Sequence, residues 1–215
     1  MRDQDIHKII QILKKEIQQW RVPVVGHYSQ NPFTVLISCL LSLRTQDKTT
    51  GEASARLFRL AKTPRTMARL PAAKIEQAIY PVGFYKTKAK NIVKICRIII
   101  SEYSGRVPED IDTLLKLPGV GRKTANLVIT LGYNKPGICV DTHVHRITNR
   151  WGYVQTKTPE KTEAALRAKL PEGYWMIIND LLVTYGQNIC KPISPFCSRC
   201  KIQRYCDRVG VNKSR

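Results

Sequence analysis

The sequence predicts an all-α fold, and three observations lead there. Apolar residues recur at three- and four-residue spacing along most of the 215 residues. No run alternates apolar and polar residues for long enough to make a strand. Proline and glycine punctuate the chain at short intervals, where helices start or stop.

Ile6, Ile9, Ile10, Leu13 and Ile17 give the first helical face. Asn31-Pro32 is a good helix start, and the apolar run Phe33 to Leu43 follows it. Gly51 to Ala61 reads as a third helix, closed by Thr63-Pro64, and Lys74 to Ile79 as a short fourth that stops before Pro81. Lys86 to Tyr103 is long, with Ile92, Ile95, Cys96 and Ile99 on one face, and it ends at Gly105. Asp112 to Leu117, Arg122 to Tyr133, Asp141 to Trp151, Pro159 to Leu170 and Tyr174 to Tyr185 complete the expected set. The length fits one large domain or two small ones, and 43% hydrophobic residues suffice for a real core.

Charge narrows the partner. A formal net charge of +20 on a globular chain points to a polyanion, with nucleic acid first. The basic residues are dispersed rather than gathered on one amphipathic helix, which argues against a membrane surface. No apolar run reaches the ~18 residues of a membrane span. The charged start Met1-Arg2-Asp3-Gln4-Asp5 has no signal-like apolar stretch, and the cysteine number is odd. Both point to a reducing cytoplasm, where DNA binding would associate the protein with the nucleoid.

Four of the seven cysteines crowd the C-terminal region: Cys190, Cys197, Cys200 and Cys206, spaced C-x6-C-x2-C-x5-C. Four thiolates at short spacing can converge on one metal centre, which replaces a hydrophobic core for a segment too short to build one. Zinc usually shows two tight pairs or a Cys/His mixture. One tight pair with wider flanking gaps and no histidine suits an iron–sulfur cluster better; zinc and unliganded thiols stay open. Basic residues (Lys191, Arg199, Lys201, Arg204, Arg208) interleave the cysteines. Cys39, Cys96 and Cys139 lie in apolar runs and read as small core residues.

Leu117-Pro118-Gly119-Val120-Gly121-Arg122-Lys123-Thr124-Ala125 joins two short helices through a Gly-x-Gly turn. The glycines allow a tight turn and close backbone approach. The second helix presents its N-terminal N–H groups, and Arg122 and Lys123 add charge there, as a phosphate grip requires. Such a grip positions a protein on DNA without reading bases. Farther on, Val140-Asp141-Thr142-His143 opens a helix. On spacing alone, Asp141 is an N-cap and Lys123 a phosphate contact. His143 and His145, two apart, suit no helical metal pair and receive no catalytic role.

Taken in order, Leu117–Ala125, Val140–His143 and the four cysteines resemble the endonuclease III family of the helix–hairpin–helix–Gly/Pro–Asp superfamily, over about Ile9 to Cys206. The resemblance implies two helical lobes with a DNA-binding cleft between them. One lobe spans 25–136; the other joins 1–24 to 137–215 and carries a [4Fe–4S] cluster on the four cysteines. It implies a monomeric base-excision glycosylase that removes oxidised pyrimidines from duplex DNA and cuts abasic sites by β-elimination. Lys123 matches the family's nucleophile, whose amine must be made neutral by burial or nearby positive charge. Asp141 matches its carboxylate, which stabilises positive charge on the sugar. Gly119, Gly121, Arg122 and Thr124 match the hairpin's DNA contacts, and Lys191, Arg199 and Lys201 those of the cluster loop. Arg44 stands where well-known members carry a glutamine that fills the gap left by a flipped base; Gln46 is the alternative filler. Phe84 stands where a leucine wedge is typical, and Lys88 follows as a further DNA contact. Rival readings are a monofunctional mismatch glycosylase, for thymine, uracil or adenine, and a catalytically silent DNA-binding iron–sulfur protein. Lysine at 123 argues against the first.

Overall fold

The computed structural model describes residues 2–20 and 31–215. Every regular element among them is helical. The chain divides into two compact units, one made of the N-terminal segment with Ile138–Arg215, the other of the residues between, up to Gly137. The expected lobe boundary between residues 24 and 25 lies outside the described residues.

The middle unit is built round α2 (Pro32–Ser42). Asn31 caps it, its side chain accepting from the N–H groups of Phe33 and Thr34, and Pro32 occupies the first turn. Nearly every residue from Phe33 to Leu41 is buried, so α2 is a central pillar rather than an amphipathic surface helix. Against it pack α3 (Asp47–Leu60), α6 (Tyr85–Glu102) and α8 (Arg122–Leu127). Two short helices, α4 (Pro64–Ala68) and α5 (Ala72–Ile79), pack on α6. The sequence reading has no α4, because it takes Thr63-Pro64 as a terminator. Thr63 is instead the N-cap of a new helix, in a reciprocal capping box with Thr66, and Pro64 is at its first position. Helix α6 buries Lys88, Ala89, Ile92, Ile95, Cys96 and Ile99 on one face. α7 (Ile111–Leu114), capped by Asp110, leads into the glycine hairpin and α8. Arg122–Tyr133, expected as one helix, is α-helical only to Leu127 and continues as a π-helical turn over Val128–Gly132.

The other unit holds α1 (Ile6–Glu16), α9 (Thr142–Arg150), α10 (Pro159–Lys169) and α11 (Ile178–Asn188). Its core joins Ile9, Ile10 and Leu13 of α1 to Val144 and Ile147 of α9, with Trp151, Tyr153 and Tyr185 among its largest buried side chains. α11 starts four residues later than expected. Before it the chain makes a 3-10 turn at Glu172–Tyr174, and the Trp175 indole N–H donates to Leu170 O (2.8 Å), fixing the bend. Among the described residues, no helix is long and apolar enough to cross a membrane.

Candidate DNA-processing site

In the middle unit the hairpin closes through Val120 N–H to Leu117 O (3.1 Å). Gly119 has φ +80°, the left-handed region that favours glycine, and a Cβ there would press to 3.1 Å of Asn91 Nδ2. Gly121 is the N-cap of α8, and open space surrounds the place of its missing Cβ. A Cβ would fit there in the protein alone. Arg122 and Lys123 are exposed in the first turn of α8. The Lys123 charge reaches Cys39, where it partly opposes the burial that raises that thiol to about 12. Thr124 requires a correction. It is only 2% exposed, so its side chain belongs to the core and only its backbone can serve a phosphate.

A second exposed feature lies in the same unit. Leu43, Tyr80 and Phe84 are exposed apolar residues, and the Arg44 guanidinium lies over the Phe84 ring at 5.7 Å. Gln46 is exposed as the N-cap of α3. Lys88 requires the second correction. Its side chain turns inward, and its ammonium donates to Leu41 O (2.9 Å), Leu43 O (2.6 Å) and Thr45 Oγ1 (3.3 Å). A residue so engaged is unavailable to a phosphate. The signal was present in the sequence, since position 88 shares the apolar face of Ile92, Ile95 and Ile99.

In the other unit Asp141 is the N-cap of α9. Its Oδ1 accepts from His143 N–H (2.8 Å) and Val144 N–H (2.9 Å). Asn179 donates to Cys139 O (3.1 Å) and so fixes the extended segment leading into Asp141. Asp180, beside Asn179 at the start of α11, has its carboxyl raised above the ordinary range, first by burial and then by the Asp141 charge. Sequence reasoning missed Asn179 and Asp180, because on the chain they are only polar residues at the start of an apolar helix.

Cys190, Cys197, Cys200 and Cys206 line one pocket with Arg150, Trp151 and Tyr185. Among the described residues no three His, Cys, Asp or Glu side chains converge as ligands of a single metal ion. Polar groups are aimed at the sulfurs. The Tyr185 hydroxyl donates to Cys200 Sγ (3.2 Å) and Arg150 Nη1 to Cys190 Sγ (3.5 Å). Arg150 also holds Lys191 O (2.7 Å) and Pro192 O (2.6 Å), while Arg146 holds Cys190 O (2.8 Å), so α9 grips the start of the loop. Burial raises the Cys206 thiol to about 11, and Cys200 rises for the same first reason. Lys191, Arg199 and Arg215 lie around the Phe196 ring at 5.3, 5.6 and 4.2 Å. Cation–π contact thus gathers part of the loop's charge, and Lys201 is exposed beside it.

Residues 37–172 match the HhH-GPD superfamily of base excision DNA repair proteins. The chain belongs to that superfamily. Within it, the chain is 48% identical over 182 residues to endonuclease III of Thermotoga maritima, covering 85% of each. That places it in the endonuclease III family. Among solved structures it resembles a non-covalent endonuclease III–DNA complex and a trapped endonuclease III–DNA covalent intermediate. Both have a TM-score of 0.86 at 34% identity and cover 97% of this chain; the chain covers 96% and 97% of theirs.

Proposed function

We propose that this chain is a bifunctional base-excision enzyme, a DNA glycosylase for oxidised pyrimidines that also cleaves the abasic strand through a lysine Schiff base. The observation that carries the covalent chemistry is the 0.86 TM-score match to an endonuclease III trapped as a covalent intermediate with DNA. Lys123, the lysine this chemistry needs, lies beside Arg122 in the first turn of the hairpin's second helix.

Duplex DNA is the substrate, and the damaged nucleotide is flipped out because its base is unreachable in the stack. Backbone N–H groups of the Gly119–Gly121 hairpin, with Arg122, hold phosphates. The Lys123 amine forms a bond to the sugar C1′ as the bond to the base breaks, and the base leaves with that electron pair and a proton. Ring opening gives an iminium. Loss of the neighbouring C2′ proton then expels the 3′ phosphate. Asp141 stabilises the positive charge that builds on the sugar and assists proton transfer. Arg44 or Gln46 fills the vacated space and Phe84 wedges the strands. Lys191, Arg199 and Lys201 bind the backbone.

The four cysteines would hold a [4Fe–4S] cluster, which when bound supplies a structural staple. Four thiols round one pocket, with N–H and O–H donors aimed at sulfur, fit that group.

Borohydride trapping on a duplex with one thymine glycol tests the reading, with wild type beside Lys123→Ala. A covalent adduct for wild type alone is expected. An adduct on abasic-site duplex only would keep the lyase and change the base; an equal adduct from the variant would remove Lys123 as nucleophile.

A further inference from the structure

Lys88 carries no surface role, yet its ammonium is held by the end of α2 and the loop that follows it. It closes on Leu41 O and Leu43 O, at the C-terminal end of α2, and so satisfies carbonyls that the helix leaves without a partner. Its third acceptor, the Thr45 hydroxyl, also accepts from Gly83 N–H (3.1 Å) and donates to Leu43 O (3.3 Å). One donor and two acceptor sites exhaust that hydroxyl's capacity. The junction therefore joins the α2–α3 loop to the α5–α6 loop. The two backbones also abut, since a Cβ on Gly83 would lie 2.6 Å from Arg44 O.

What the junction supports is unusual. Arg44 (φ +53°) and Phe84 (φ +57°) both occupy the left-handed region, where side-chain-bearing residues are uncommon. Both are exposed, Phe84 at 63%, and each is the other's cation–π partner. Strained, exposed residues persist only where their surroundings over-determine them.

We propose that Lys88 is a positioning residue that locks the Arg44 and Phe84 loops into one two-pronged probe, which enters the duplex as a unit. This rests on the proposed function for its DNA substrate and adds how the probe is held. The burial that brings the Lys88 ammonium down to about 8 agrees with an internal clamp rather than a solvated contact.

The test compares single-turnover cleavage of an abasic site in duplex and in single-stranded DNA, where there is no partner strand to separate. Lys88→Met is expected to lower the duplex-to-single-strand ratio by at least ~10-fold, the scale of a displaced positioning group. Thr45→Val removes the shared hydroxyl and serves if Lys88→Met fails to fold. A duplex with 2-aminopurine opposite the abasic site gives a readout apart from catalysis. Wild type should raise its emission as the base is unstacked, and both variants should blunt the rise. Phe84→Ala should add less in the Lys88→Met background than in wild type. Ratios within twofold of wild type, with an unchanged emission rise, would overturn the clamp. A wild type that cuts neither substrate would overturn the proposed lyase, while the emission series would still decide on Lys88.

Discussion

Asp141 offers the sharpest separation between architecture and chemistry, because one carboxylate caps a helix and, on the proposed function, also serves the reaction. Its Oδ1 satisfies two N–H groups at the start of α9, and α9 carries Val144 and Ile147 into the core. Asparagine caps as well as aspartate, whereas alanine costs ~1 kcal/mol. In a chain of this length that cost lowers Tm by about 2–4 °C. Loss of the charge adds a helix-dipole cost of about 0.3–1 kcal/mol, partly offset because the raised Asp180 carboxyl is relieved of a like neighbour. A group aiding proton transfer in a transition state is worth about 10²–10⁴-fold in rate. Asp141→Asn should therefore melt close to wild type yet lose that factor in base excision, while Asp141→Ala loses the same factor and melts lower. Circular-dichroism melts and single-turnover excision of thymine glycol, run on both variants, measure the pair. If Asp141→Asn excises within threefold of wild type, or if rates simply follow Tm across the variants, the carboxylate is a cap and nothing more.

Other expectations are briefer. Cys197→Ser should lose the brown colour of an iron–sulfur protein and most of its solubility; wild type purified without oxygen that is colourless and holds zinc would refute the cluster. Arg150→Met removes the donor to Cys190 Sγ and the hold on Lys191 and Pro192, so visible absorbance should bleach faster in air, and equal bleaching would show that the donor is idle. The Thr113 backbone N–H (2.8 Å) holds the Asp110 carboxyl below its usual 3.8. Its contribution is complete above that unfolded value and is lost as pH falls through the lower folded one. Wild type should thus lose stability against Asp110→Asn in acid melts; parallel pH curves would dismiss the effect.

The all-helical class was legible because apolar spacing and breakers agree over long helices such as α6. Proline misled at α4, since Pro64 ends one helix and starts the next, and only the Thr63–Thr66 box tells which. The π turn at Val128–Gly132 follows from packing that the local pattern does not encode. There a Cβ on Gly132 would lie 2.8 Å from Pro32 Cα, so the turn is pressed against α2. At the candidate site, motif and order are what single out Lys123, Asp141 and the cysteines, and their roles belong to the proposed function. Lys88 and Thr124 could not be sorted by type alone; a lysine beside other lysines reads as surface until helical phase puts it on the apolar face.

Backbone strain shows how geometry adds to motif without replacing it. Six non-glycine residues among those described have positive φ. Asn134 tolerates that conformation by type, and Ser104 stands before Gly105 where α6 ends. Ser194 and Arg208 lie in the cysteine region, where the Arg215 side chain bonds Ser194 O and Val211 N–H bonds Arg208 O. Each of these four is a way of turning the chain. Arg44 and Phe84 differ because they come from separate loops, touch each other, and leave cation and ring exposed. Holding each in the left-handed region costs about 1–3 kcal/mol. A turn alone would be made more cheaply by glycine, which the chain places next door at position 83. On the proposed function, the use of a flat ring beside a planar cation would be stacking against bases.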